Sequence, residues 1–207
     1  MDNDSTDRTA EMAAKFGARV IQEKVRGYGR AYKAGLLQTK GDIIVTLDGD
    51  HSYPPDAISY LLEALMRSKV RFLSASRFPL KNKKAMSFKH WLGNKVLSLT
   101  MSILYFRWIR DSQSGMWVFE RDSLKEMHLV SDSMAFSEEI KIEAFTNKQI
   151  GFKEIYIDFT TRLGEIKLQP WRDGIHNILF LLRKRFSFGL GSASDFVLRG
   201  VPKEKQE

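Results

Sequence analysis

The chain has no cysteine among its 207 residues, which excludes disulfides and thiolate metal sites. No apolar run reaches the ~18 uninterrupted residues that a membrane-spanning helix needs. The opening stretch is acidic and polar, without the apolar h-region of a signal peptide. There is no internal repeat and no low-complexity tract. Acidic residues are in short supply: 25 Asp and Glu stand against 33 Lys and Arg, a formal charge of +8. A basic surface favours anionic partners. No nucleic-acid-binding signature accompanies it, which leaves anionic lipid head groups and phosphorylated substrates.

What is present reads as one globular domain, 43% apolar and 28% charged. The most informative triplet is Asp48-Gly49-Asp50. It follows Ile43-Ile44-Val45-Thr46-Leu47, an apolar run bounded by Gly41-Asp42 before it and Pro54-Pro55 after it, which predicts a buried strand. Two carboxylates at i and i+2 therefore stand just past a strand's C-terminal end, where open α/β sheets place ligands. Carboxylates there suit a hard divalent cation that also grips a diphosphate. A bare polar turn would have the same triplet, so the surrounding segments decide between the two readings.

The remaining pattern predicts alternating helices and strands. A helix is expected over about 7–16, capped by Ser5, Thr6 or Asp7 and closed by Gly17, then a short strand at Ala18-Arg19-Val20-Ile21. Further helices are expected from Arg30 to Gln38 and after Pro54-Pro55, and a strand from Arg71 to Ser76. This α-β-α-β-α-β run argues for a parallel sheet covered on both faces. Beyond it, helices are expected over Trp91–Ile109, Ser137–Lys148 and Ile175–Phe186, and strands over Gly115–Phe119 and Phe152–Thr161. The first and last of these helices are strongly apolar with basic or aromatic edges, which suits a membrane interface or ordinary core packing. Arg183-Lys184-Arg185 would meet anionic head groups in the first case. The stretch after Phe188 is expected to be loose.

Seven segments carry a resemblance: Asp2-Asn3-Asp4-Ser5-Thr6-Asp7-Arg8-Thr9, Arg26-Gly27-Tyr28-Gly29-Arg30-Ala31, Leu47-Asp48-Gly49-Asp50, Ala75-Ser76-Arg77, Asp111-Ser112-Gln113-Ser114-Gly115, Ser137-Glu138-Glu139-Ile140 and Arg162-Leu163-Gly164-Glu165-Ile166-Lys167-Leu168. In this order they resemble family 2 glycosyltransferases, and within them the dolichyl- or polyprenyl-phosphate sugar transferases. The resemblance implies an α/β fold of GT-A type, a Rossmann-like sandwich over residues 1–170, followed by an amphipathic interfacial helix at 171–190 and a flexible tail at 191–207. It also implies that the family's opening strand, helix and second strand are missing ahead of the Asp2-Asn3 loop, so that the chain is N-terminally incomplete.

By the same resemblance, Asp48 and Asp50 would hold Mg²⁺ or Mn²⁺ against the donor's diphosphate, with Ser52 as a third contact. Asp2 and Asn3 would read the base and ribose. Arg77 and Arg162 would meet phosphates, Lys167 belongs to the same segment as Arg162, and Lys89 would bind the acceptor phosphate. Asp50, Asp111 and Arg162 are the expected catalytic group. The donor would be GDP-mannose or UDP-glucose, the acceptor a polyprenyl phosphate, and the place of action the cytoplasmic face of a membrane, to which the chain would attach peripherally. Such an acceptor is already an anion near neutral pH, so in-line attack with inversion needs no strong base. Two other readings stay open: transfer to a saccharide or protein hydroxyl, with Asp111 as base, and an inactive fragment. Asp111 also suits an Asx turn, and Glu138 and Glu139 suit the first turn of a helix. His51 reads as a loop residue. Tyr28 either packs on a base or fills its turn.

Overall fold

The computed structural model describes residues 1–164 and 170–186; Lys167 and the expected tail lie outside them. In chain order the elements are α1 (Thr9–Lys15), α2 (Tyr28–Leu36), β1 (Ile43–Thr46), α3 (Ala57–Met66), β2 (Phe72–Ser76), α4 (Phe88–Tyr105), β3 (Trp117–Glu120), α5 (Phe136–Thr146), β4 (Lys153–Tyr156) and α6 (Pro170–Phe186). Gly17, at φ +84°, ends α1 in the left-handed conformation that a glycine adopts without strain. Asp7 accepts the backbone N–H of Thr9 at 3.0 Å and so does the capping work at the other end.

The four strands form one sheet in the order β1-β3-β2-β4. The parallel expectation needs correction. β2 and β4 pair in parallel, but β3 inserts between β1 and β2 and runs antiparallel to both. Alternation of apolar residues does not encode strand direction, and the return through α4 reverses it. The strand expected at 18–21 does not form either. It is reduced to a single parallel bridge between Asp2 and Gln22, because Asn3 immediately turns its side chain to the carbonyls of Glu23 and Val25 at 2.9 Å each.

Side-chain alternation along the strands feeds two cores. Leu73, Ala75, Met116 and Val118 pack with Tyr53, Ala57, Leu61 and Leu65, so α3 covers one face. Phe72, Trp117 and Phe119 pack with Phe136, Ile140, Met101 and Leu181, so α5, α4 and α6 cover the other. β2 is buried at every position, as expected of a strand covered on both sides.

α4 and α6 pack against each other, and here a second expectation changes. α4 buries Leu97, Ser98 and Met101 but exposes Leu92, Val96, Leu99 and Ile103. It is apolar on two faces rather than amphipathic. α6 buries Asn177 and Leu181 and exposes Ile175, Leu179, Leu182 and Phe186. Both exposed sets follow the spacing i, i+4, i+7, i+11, which draws one stripe along each helix. Lys184 is not available to head groups: it reaches inward to Glu143 at 2.6 Å and Glu139 at 3.2 Å, with a side chain 9% exposed.

Candidate functional site

β1 ends at Thr46, and the carboxylates follow on the loop beyond it. Asp48 lies under Tyr32, whose hydroxyl donates to it at 3.5 Å and to the carbonyl of Gly115 at 3.2 Å. Thr46 also donates to that carbonyl, at 2.9 Å, which ties the end of β1 to the start of β3. Gly115 must be glycine here. A Cβ would stand 2.7 Å from the Tyr28 hydroxyl and 3.2 Å from an Asp48 oxygen. Burial, and then the charge of Asp50, raise the pKa of Asp48 above its ordinary value.

Asp50 accepts the backbone N–H of Ser52 at 3.0 Å and the Ser52 hydroxyl, and it pairs with Arg162 Nε at 2.6 Å. Its carbonyl takes the N–H of Leu163 at 2.8 Å. Ser52 is wholly buried, so its hydroxyl orients Asp50. His51 is exposed in the left-handed region at φ +67° and stands outside this arrangement.

The pair Asp48 and Asp50 fits a hard divalent cation. Both offer carboxylate oxygens, and their mutual repulsion, visible at Asp48, is what a cation relieves. Among the described residues no group of three His, Cys, Asp or Glu forms, so further coordination would fall to phosphate oxygens and water.

Asp48 also borders a cavity of about 430 Å³ that is lined by Arg77, Lys89 and Arg162 as well. The structure thus brings together four of the residues singled out in the sequence. Arg77 comes from the end of β2 and is held on all sides. Its Nε and Nη2 donate to the two oxygens of Asp111 at 2.8 and 2.7 Å, and Nη2 also donates to Asn94 at 3.0 Å. Its backbone N–H donates to Asp111 as well, at 3.0 Å. Phe159 lies 5.2 Å from the guanidinium. The Nη1 hydrogens are not spent on Asp111 or Asn94.

Asp111 is 0% exposed. Burial opposes its ionisation, but Arg77 outweighs that and holds its pKa below the usual carboxylate value. Beneath it lies a residue that no sequence pattern indicated. Lys141 of α5 is fully buried and donates to the carbonyls of Asp111, Ser112 and Ser114 at 3.0, 2.7 and 2.9 Å. Burial lowers its pKa to about 8, against the opposing pull of Asp111 and Glu154. Its three carbonyl partners depend on how the 111–114 loop folds over α5, which no local pattern carries.

The other expected residues sit apart. Asp2 pairs through its backbone with Ile21 and Glu23, at 2.8 and 2.9 Å, and Asn3 fixes the turn before α2 by accepting the N–H of Gly27 at 2.8 Å. Neither lines the cavity. Gly29 is required by packing rather than by a ligand, since its Cβ would stand 2.3 Å from the carbonyl of Ser131. Tyr28, between the two glycines, does line the cavity. Glu139 accepts the N–H groups of Val130 and Ser131 and anchors Lys184, a structural use. Glu138 is buried beside Gln113, and burial pushes its pKa well up.

This architecture, a mixed sheet with a carboxylate pair at the end of β1 and a cationic cavity beside it, is the GT-A fold. Glucosyl-3-phosphoglycerate synthase from Mycobacterium tuberculosis, solved with Mn²⁺, UDP-glucose and glycerol 3-phosphate, has the same fold at a TM-score of 0.66 and 18% identity, over 89% of this chain and 67% of that one. The chain belongs to glycosyl transferase family 2, whose model matches residues 1–127. It is 33% identical to the low-salt glycan biosynthesis hexosyltransferase Agl6 of Haloferax volcanii, over 86% of this chain and 43% of that protein. It is 30% identical to the dolichyl-phosphate hexose transferase of the same organism, over 82% of this chain and 73% of that protein. A UDP-N-acetylglucosamine–dolichyl-phosphate N-acetylglucosaminyltransferase of Methanococcus voltae is 28% identical, over 70% of this chain and 62% of that protein. The chain thus spans less than half of Agl6 and between three fifths and three quarters of the other two relatives.

Proposed function

We propose that this chain carries the catalytic site of an inverting hexosyltransferase that moves a sugar from a nucleoside-diphosphate donor to a polyprenyl phosphate at a membrane surface. The observation that carries this reading is the cavity. Asp48, Arg77, Lys89 and Arg162 line it, and it lies between the first turns of α4 and α6, the two helices whose outer faces are apolar stripes. A lipid phosphate needs both features: cations for its head and an apolar surface for its tail. The relatives named for dolichyl phosphate support the acceptor class. A UDP-sugar is the preferred donor over GDP-mannose, in line with the donor named for the Methanococcus relative.

In this scheme Asp48 and Asp50 would hold Mg²⁺ or Mn²⁺, which would supply Lewis-acid neutralisation of the donor's diphosphate charge. Arg77 offers a permanent charge and its Nη1 hydrogens to a phosphate, while Asp111 and Asn94 take the Nε and Nη2 hydrogens and fix its orientation. Lys89 and Arg162 add positive charge to the same cavity. The acceptor phosphate attacks as an anion, so no side chain has to remove a proton. Asp111 therefore acts as a positioning residue. With no exposure and both oxygens on Arg77, it does not reach a substrate hydroxyl as a base would. Asp2 and Asn3 shape the turn that leads to α2 and Tyr28, and through it the donor side of the site.

The test is transfer of labelled glucose from UDP-glucose with Mn²⁺ to a short polyprenyl phosphate in detergent. The expected result is an organic-soluble product whose formation falls at least ~100-fold in Arg77→Gln, given what a lost preorganised charge contributes at a transition state. Transfer to a free saccharide hydroxyl, with no lipid product, would overturn the acceptor assignment.

A further inference from the structure

Besides Arg77, Lys89 and Arg162, the cavity has neutral amides in its lining. Gln113 and Asn177 line it. Asn177, 2% exposed, comes from α6, and its Nδ2 donates to Gln113 Oε1 at 3.3 Å. Gln113 Nε2 in turn donates to Glu138 Oε1 at 2.7 Å. The structure gives this relay one direction. Glu138 accepts at Oε1, as it does whether its carboxyl is ionised or carries its proton on Oε2, and Gln113 then turns its amide nitrogen to Glu138 and its oxygen to Asn177. Asn177 must then present its own nitrogen to Gln113. What remains is Asn177 Oδ1, and that atom has no hydrogen-bond partner among the described residues. A buried acceptor left without a donor is rare and costly unless something fills the place.

We infer that Asn177, oriented by Gln113 and Glu138, is a specificity-determining residue that accepts a hydrogen bond from a hydroxyl of the transferred hexose. The ligand group must be a donor, because the relay leaves only an acceptor. It is a neutral donor rather than a phosphate, because phosphate oxygens would meet an amide oxygen at Asn177 and be repelled. A polyprenyl chain brings no hydroxyl, so the sugar is the part of the proposed substrates that fits. The inference deepens the transferase reading and rests on it. It also gives α6 a part in the site. The helix is fastened to the domain by Lys184 on Glu139 and Glu143, and that attachment sets where Asn177 stands.

The experiment is calorimetric titration of the full chain, with Mn²⁺ present, using UDP-glucose against UDP and GDP-mannose against GDP. In Asn177→Leu the affinity for the sugar nucleotide is expected to fall about tenfold, the scale of one ordinary hydrogen bond, with the affinity for the matching diphosphate unchanged. Gln113→Leu, which frees the Asn177 amide to turn, makes the same prediction from a loop rather than a helix. It carries the test if Asn177→Leu does not fold. An equal loss for sugar nucleotide and diphosphate, or no loss for either, overturns the inference and leaves the transferase reading intact. Failure of the unmodified chain to bind any of the four ligands overturns the transferase reading, and the inference falls with it.

Discussion

At the scale of single residues, the site depends on contacts that leave little room for change. Gly115 allows the Tyr28 hydroxyl and Asp48 to approach the start of β3, and a methyl group there would lie 2.7 Å from the hydroxyl. Gly115→Ala is expected to lower stability by about 1–3 kcal/mol through overpacking and to displace Asp48, so metal-dependent nucleotide binding falls more than the melting temperature. Calorimetric titration beside a melting curve checks this. Asp111→Asn leaves the buried Arg77 without its charge partner, and a loss of about 3–5 kcal/mol is expected in denaturant unfolding. The same pair sets an acid limit. Asp111 has its folded-state pKa depressed, so its contribution is complete above the ordinary aspartate pKa and disappears as pH falls through the folded value. Asp111→Asn removes that part of the acid sensitivity. Of the site residues, Asp48 and Asp50 were legible because they follow a buried strand, whereas Arg77 and Asp111 stood out through the family resemblance. That Asp111 serves Arg77 was not legible, since the pair is 34 residues apart and meets only through the order of β2 and β3.

At the scale of elements, α5 and the loop it supports form one unit. The helix is buried from Phe136 to Ala144, and Lys141 spends its ammonium on three carbonyls of the 111–114 turn. Lys141→Met removes those donors and is expected to destabilise the fold by about 1–3 kcal/mol at neutral pH. The pH dependence has a defined sign. The folded pKa of about 8 lies below the ordinary lysine value of about 10.5, so the unfolded chain binds more protons between those values. The Lys141 contribution therefore rises with pH across that window, by up to about 3 kcal/mol. Denaturant midpoints of wild type and Lys141→Met at pH 7 and pH 10 read this: the wild-type advantage should grow with pH. Element existence was visible in the sequence almost throughout, because apolar periodicity marks helices and buried strands. Strand direction was not, and neither was the failure of the 18–21 strand, since both depend on which neighbour offers backbone partners. The stripe Leu92, Val96, Leu99 and Ile103 was legible as apolar, but its exposure follows from α4 burying a different face at Leu97 and Met101.

At the scale of the whole molecule, charge and apolar surface combine beside one cavity. No helix among the described residues is long and apolar enough to cross a membrane. The stripes on α4 and α6 instead suit contact with an interface, as the proposed acceptor requires. Leu99→Glu together with Leu179→Glu should leave the fold intact, because both side chains are exposed, at 54% and 46%. Co-sedimentation with anionic vesicles should fall by at least ~10-fold, as the burial of two leucines implies. Equal sedimentation of variant and wild type would contradict an interfacial role for the helices.

The central claim is that Asp48 and Asp50 hold a divalent cation against a nucleoside diphosphate. Its most direct test is thermal unfolding of the chain with UDP or GDP, with and without Mn²⁺, beside Asp48→Asn. The expected result is a rise in melting temperature that needs nucleotide and Mn²⁺ together and that vanishes in Asp48→Asn. A nucleotide-dependent rise that is the same without Mn²⁺, or that survives in Asp48→Asn, would contradict it.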